Sequence, residues 1–274
     1  MEQALFIEDV VELEDLHPDY GRIYFGEEFC GRRLASPETY RRVAERCRSM
    51  GKRLTLLTPL VTEPELELLA KAIDPVLAIA RTHPELGLEI VFNDWGVFQH
   101  YRGGQAFEPV LGSLLVRQKR DPGFLWLRGP HCAIKLDKMD MRHIQSLNID
   151  SNMQIRKFVE ANFVRMELVN TVQGWETECR LPASLYLPLV PVTTTRYCKW
   201  AAIASGAQNA SNYFACAKPC RTQLSRHTTP DYALYLYGNT QFYLNSRLPD
   251  RLDGVDRLVS YSFSPFLEER PEGT

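Results

Sequence analysis

The chain has 274 residues, 45% of them hydrophobic and 24% charged, an ordinary globular balance. Its 32 basic and 34 acidic residues leave a formal charge of -2, which argues against a bulk polyanion binder, because neutralising phosphates takes a concentrated excess of Lys and Arg. Nucleic acid is therefore not an expected partner, although a local basic patch stays open. The N-terminal run Met1–Asp15 carries acids where a secretory signal needs basic residues, and no stretch of about 18 apolar residues occurs. These features predict a cytoplasmic chain with no membrane span. No internal repeat or linker divides it, so 1–274 is read as a single domain.

In chain order, Arg22–Gly26 reads as a short strand that stops at glycine. Ser36-Pro37-Glu38 opens a helix, with serine at the N-cap, proline at the first helical position and an acid in the first turn. Tyr40, Val43, Ala44 and Cys47 form its apolar face, and Gly51 ends it. Arg53 to Leu60 is the next strand, and Thr62-Glu63-Pro64-Glu65 starts a second helix with Leu66, Leu69, Ala70 and Ile73 on one side. Leu88 to Phe92 is again a strand, and Asn93-Asp94-Trp95-Gly96 turns into a short helix.

Further on, Val110 to Val116 reads as a strand, Ser151 to Asn162 as a helix and Val164 to Val169 as a strand. Leu185 to Thr195 is a β-rich run broken by two prolines. Ala233 to Leu244 predicts a hairpin about Gly238-Asn239, and Arg257 to Ser262 a last strand. Repeated β-α-β units predict an α/β fold with a parallel sheet under helices, and the strand count suits a TIM-like (β/α) barrel, complete or incomplete. Reactive groups of such a barrel follow the strands, at the C-terminal face, where Cys30 and Asp94 both fall.

Seven cysteines, Cys30, Cys47, Cys132, Cys179, Cys198, Cys216 and Cys220, are too odd a number for a simple disulfide framework, and in a reducing compartment clustered cysteines point to metal or catalysis. Cys198, Cys216 and Cys220 give C-x17-C-x3-C, with the last pair in a segment of turn-forming residues, so residues 196–222 stand out as a cysteine-bearing stretch. Three thiolates need one more ligand to close a tetrahedral zinc site or an iron–sulfur cluster. Cys30, on its Gly-flanked loop, is the best fourth, and His227 would make a Cys3His zinc site instead. Cys47, Cys132 and Cys179 read as small buried hydrophobes.

Other groups carry weaker signals. Glu27, Glu28 and Asp94 could supply acid–base chemistry at a barrel mouth, with Asp94 the catalytic candidate, but surface carboxylates are commoner. Arg32 and Arg33 face either an anion beside Cys30 or solvent. His131 and Cys132 are sequence neighbours, which usually point apart. The aromatics Tyr235, Tyr237, Phe242 and Tyr243 pack across strands or form a surface for a partner or prenyl ligand.

With these residues in view the chain resembles the collagenase-like peptidase family, in particular its UbiV/UbiU-like branch of ubiquinone-biosynthesis iron–sulfur proteins. Ile23-Tyr24-Phe25-Gly26-Glu27-Glu28-Phe29-Cys30, Asn93-Asp94-Trp95-Gly96-Val97, Val190 to Cys198, the Cys216/Cys220 pair and Gly254-Val255-Asp256-Arg257-Leu258 carry the likeness. The resemblance implies a (β/α) barrel and a 4Fe-4S cluster on Cys30, Cys198, Cys216 and Cys220, with zinc as the alternative metal. It also implies support of oxygen-independent hydroxylation, or a related redox modification, together with a UbiU-like partner. The substrate expected from the resemblance is a quinone precursor or an RNA base, and the near-neutral charge argues against RNA. A non-enzymatic, cluster- or zinc-stabilised scaffold is the second expectation. Peptidase activity ranks last, because Leu181 to Leu189 lacks the glutamate and His-Gly pair of the peptidase branch.

Overall fold

The computed structural model describes residues 1–14, 16–104, 106–124, 138–196, 198–205, 216, 218–221, 223–229 and 232–262. Cys132 and its neighbour His131 lie outside the described residues.

Eight parallel strands close into a barrel in the order of the chain. They are β1 (Glu2–Ile7), β2 (Arg22–Gly26), β3 (Arg53–Thr58), β4 (Glu89–Phe92), β5 (Glu108–Leu111), β6 (Arg165–Val169), β7 (Ala183–Leu187) and, last, β12 (Val255–Tyr261), which pairs with both β7 and β1. The barrel is complete. The flanking helices are α1 (Pro37–Ser49), α2 (Glu63–Thr82), α3 (Trp95–Tyr101), α4 (Ser113–Val116), α5 (Lys138–Gln145) and α6 (Met153–Asn162). Residues alternate along each strand. Ala4, Tyr24, Leu57, Val91, Val169 and Val259 meet inside the barrel. Leu5, Ile23, Leu56, Ile90 and Leu168 face the helices, together with Cys47 and Cys179. Both faces are buried, so the strands read as nearly continuous apolar runs.

The first helices follow their sequence signals. Ser36 accepts the Thr39 amide at 3.1 Å. Thr62 and Glu65 form a reciprocal capping box. Two other stretches resolve differently from their apolar patterns. The run 110–116 is not one strand: β5 stops at Leu111 and α4 begins at Ser113. Gly112 makes the turn, where a Cβ would stand 2.6 Å from the Phe92 carbonyl and 2.2 Å from Asn93 Oδ1. Asn93 Oδ1 also accepts the Leu114 amide at 3.0 Å, which fixes the start of α4. The run 185–195 is two strands in two sheets, β7 in the barrel and β8 (Leu189–Thr194), separated by Pro188, which has no N–H to donate to a ladder.

Strand β8 opens an insertion between the last two barrel strands. With β9 (Ser225–Thr228), β10 (Ala233–Tyr237) and β11 (Thr240–Leu244) it forms an antiparallel sheet of order β8-β11-β10-β9. The helix α7 (Lys199–Ser205) belongs to the same insertion. The predicted hairpin is there, with Gly238 at φ +60° in its turn. Its aromatics are not an open surface. Tyr235, Tyr237, Phe242 and Tyr243 are buried and join the apolar cluster of the barrel interior. The sheet therefore caps the C-terminal mouth and extends the barrel core upward.

The opposite, N-terminal end of the barrel holds a buried ionic lattice. Arg257 makes two bonds to Glu89, of 2.7 and 2.9 Å, and one of 2.7 Å to Glu2. Its Nη1 also donates to Tyr24 Oη at 2.7 Å, and Tyr24 in turn donates to Glu167 at 3.1 Å. Arg22 adds bonds to Thr55 Oγ1 and the Gly87 carbonyl. Charges at this face of a (β/α) barrel read as stability rather than chemistry.

Candidate metal centre at the barrel mouth

Cys30 lies just beyond β2 and begins the 3-10 turn Gly31–Arg33, its carbonyl accepting the Arg33 amide at 3.0 Å. Its thiol is pushed up to about 12, first by burial and then by the charge of Glu27, against the Arg32 and Arg33 amides and the Arg33 cation. The other three cysteines of the set sit in the insertion. Cys198 precedes α7 and donates its Sγ to the Gly238 carbonyl at 3.7 Å. Cys216 Sγ accepts the Lys218 amide at 3.4 Å. Cys220 is 3% exposed, in the 3-10 turn Pro219–Arg221.

These positions are electrostatic neighbours. Burial raises the Cys220 thiol, Arg33 opposes the rise, and the charges of Cys198, Cys216 and Glu27 reinforce it. Three of the four expected ligands thus share one neighbourhood, and Cys30 stands on the turn that carries the same Arg33. Thiols are the donor type of zinc and iron–sulfur sites. Among the described residues, no group of three or more His, Cys, Asp or Glu is already arranged to hold a metal ion. The described thiols do not form a closed ligand set. Cys47 and Cys179 are buried in the packing between strands and helices, as small hydrophobes. His227 stands exposed on β9.

The carboxylates divide by role. Asp94 is the N-cap of α3, accepting the Gly96 and Val97 amides at 2.6 and 3.3 Å, and its other oxygen takes the Val61 amide at 3.4 Å. Its candidacy for acid–base work meets a carboxylate already committed to three amides. Asp94→Ala is expected to cost about 1 kcal/mol by thermal or urea unfolding, and to leave metal content unchanged by elemental analysis.

Glu27 and Glu28 are placed quite differently. Glu28 is buried and accepts the Ser113 hydroxyl. Burial raises its pKa, opposed by Ser113 and by Arg120, a guanidinium that burial lowers to about 10. Glu27 pairs with Arg33 at 3.0 Å and is raised to about 7, by burial first, with Arg33 opposing and Glu8 reinforcing. The sequence signals named Glu27, Glu28 and Arg33, and Tyr237 only as one of the hairpin aromatics, but not Glu8, Ser113 or Arg120. Arg33 is buried and ion-paired rather than turned to solvent.

Two spaces flank the Glu27–Arg33 pair. Beneath the cap, Phe6, Leu189, Phe242 and Tyr261 leave a cavity of about 30 Å³ that also touches Glu28 and Cys30. Outside, a cleft of about 510 Å³ runs between Glu8, Thr39, Lys218 and Arg221. The first has room for about a single water molecule, the second for a small ligand.

Fold and site together define a closed eight-stranded parallel (β/α) barrel whose mouth is capped by an inserted sheet, with free thiols at Cys198, Cys216 and Cys220 in the same insertion and at Cys30 on the barrel. No protein-family profile and no curated protein matches the chain. The chain is similar to a solved structure of the U32 peptidase Mk0906, over 96% of this chain and 93% of that one, at 9% identity and a TM-score of 0.46. No described helix is long and apolar enough to cross a membrane.

Proposed function

We propose that the chain is an iron–sulfur protein of the collagenase-like type, similar to the UbiV/UbiU branch, with Cys30, Cys198, Cys216 and Cys220 as ligands of a 4Fe-4S cluster. The observation that carries this reading is the placement of Cys198, Cys216 and Cys220 in one insertion over the barrel mouth, with Cys198 bonded to the hairpin turn at Gly238 and Cys220 in the adjoining 3-10 turn. When bound, a cluster held by four cysteines supplies electron transfer or a structural cross-link. The role proposed for the chain is support of oxygen-independent hydroxylation, or a related redox modification, with a UbiU-like partner in the cytoplasm. The residues around the thiols have their own tasks. The aromatic cap keeps water from the inner side, Gly238 fixes Cys198, and the turn 218–221 presents Cys220.

One observation favours a second reading, a cluster- or zinc-stabilised scaffold without chemistry of its own. The barrel axis, where (β/α) barrels usually take substrate, is filled by the inserted sheet and keeps only about 30 Å³. Peptidase activity remains the last-ranked reading.

The test is an alanine series in anaerobically purified full-length protein. Replacing Cys30, Cys198, Cys216 or Cys220 singly should strip most of the bound iron, whereas Cys179→Ala should retain it. Equal iron in all five variants would remove the proposed ligand set. Reconstitution with a partner then separates the two readings: a partner that works with the cysteine variants makes this chain a scaffold.

A further inference from the structure

A cleft of about 580 Å³ lies just past the C-terminal end of β6, and none of the four cysteines lines it. Such positions carry the binding groups of a (β/α) barrel, and the volume suits a small ligand. The lining comes from two segments. One is the start of the β6–β7 connection, a stretch that forms no helix, and the other is the strap that leads from β11 back to β12.

Asn170 joins the two. Its Nδ2 donates to the Asn245 and Arg247 carbonyls, both at 2.9 Å, and its own carbonyl accepts Asn245 Nδ2 at 2.8 Å. Asn170 is 0% exposed, and its Oδ1 has no hydrogen-bond partner among the described residues. A buried amide oxygen without a donor is costly. The neighbouring side chains are bonded in the same sense. Gln145 Nε2 donates to the Gln173 carbonyl at 2.6 Å, and Gln173 Nε2 to the Lys119 carbonyl. Thr171 Oγ1 donates to the Gly174 carbonyl at 2.9 Å. These amide and hydroxyl donors are spent on holding main chain together, and what the groups retain is oxygen, which accepts.

A ligand that suits such a surface brings hydrogen-bond donors. The rest of the lining decides its charge. Along the strap the signs alternate through Arg247, Asp250, Arg251 and Asp253, and Arg251 pairs with Asp253 at 2.8 Å. Neither a cation nor an anion meets a field of one sign there. Trp175 adds an aromatic wall, the kind of surface on which the C–H face of a sugar ring packs.

We propose that this cleft binds an uncharged, hydroxyl-rich ring, a monosaccharide or the end of a short saccharide, whose hydroxyls donate to the amide oxygens of Asn170 and Gln145 and whose C–H face packs on Trp175. The inference stands apart from the thiol site and needs no metal.

The experiment is saturation-transfer NMR on the full-length protein with glucose, galactose, mannose and N-acetylglucosamine, and with spermidine and glutamate as charged probes. At least one sugar should receive saturation, with a Kd on the order of millimolar, as about a dozen heavy atoms allow. Trp175→Leu keeps apolar bulk but removes the ring, and should weaken that sugar about fivefold or more. Trp95→Leu, on α3, removes an exposed tryptophan outside the cleft and should bind as wild type does. Asn170→Ala should abolish binding, and where it does not fold, because it also undoes the tie to the strap, Trp175→Leu decides. No transfer to any of the four sugars overturns the proposal, as does tighter binding of spermidine or glutamate than of every sugar. Folded Trp175→Leu protein with wild-type affinity overturns it too, and so does loss of binding in Trp95→Leu.

Discussion

Arg257→Ala is expected to destabilise the protein by about 3–5 kcal/mol, the usual cost of leaving buried charges without their partner. Arg257 is 2% exposed, binds both oxygens of Glu89, and reaches Glu2 and Tyr24 as well. Deleting it removes the bidentate partner of the buried Glu89, leaves Arg22 as the remaining cation beside it, and opens a cavity the size of an arginine stem. For a domain of this size the melting temperature should fall by roughly 10 °C. The lattice ties β12, the last barrel strand, to β1, β2 and β4, so its loss acts on closure of the barrel as well as on local packing. The double variant Arg257→Met/Glu89→Gln, which removes charge from both sides, should cost clearly less than the sum of the two single changes. An Arg257→Ala protein within 1 kcal/mol of wild type would show that the lattice contributes little.

Stability should also fall as pH rises, through Glu167. This carboxyl is fully buried inside the barrel and is raised to about 8, chiefly by burial, with Arg257 opposing and Glu89 reinforcing. In the unfolded chain a glutamate titrates at about 4.3. Below that value both states hold the proton and the contribution is complete. Between the two values only the folded state keeps it, so unfolding releases a proton and stability declines by about 1.4 kcal/mol per pH unit. Above the folded value the loss is finished. Glu89, in the same lattice, acts in the opposite sense. Burial raises its pKa, but Arg257 and Arg22 outweigh burial and hold it below the usual carboxylate range. Its contribution is present above the unfolded value and is lost as pH falls through the folded one. Denaturant unfolding at pH 5 and pH 9 should therefore find wild type weaker at pH 9, and Glu167→Gln, a permanent stand-in for the protonated acid, should flatten that difference. An unchanged slope in Glu167→Gln would assign the pH dependence to other groups.

Much of the barrel was legible because its signals are local. Ser36-Pro37 and Thr62-Pro64-Glu65 announce helices through caps and first-turn chemistry, and β2, β3, β4 and β6 are short apolar runs ended by turn residues. The strand β1 was not read, because Glu2–Ile7 has no turn residue before it and its partner β12 lies at the other end of the chain. The 110–116 stretch deceived because Val-Leu-Gly-Ser-Leu-Leu-Val suits both periods, and only contact with Asn93 and Phe92 reveals why Gly112 must turn. The split at Pro188 depends on which sheet each half can join, a matter of three-dimensional room and not of propensity.

The site was legible in its residue types and less so in its architecture. Cys30, Cys198, Cys216, Cys220, Glu27 and Arg33 follow from spacing and from the family resemblance. The couplings among them do not, since Glu8 meets Arg33 and Tyr237 across 25 and 229 residues of chain. Nor does any local pattern show that the aromatic hairpin seals the barrel mouth, or that Asp94 is spent on capping α3.

The central claim is that four cysteines at the capped mouth hold an iron–sulfur cluster, and the most direct measurement is iron and acid-labile sulfide per chain in anaerobically purified full-length protein. The account predicts about four of each, with a brown colour and a broad band near roughly 400 nm. Colourless protein containing one zinc per chain, or no metal at all, would contradict it.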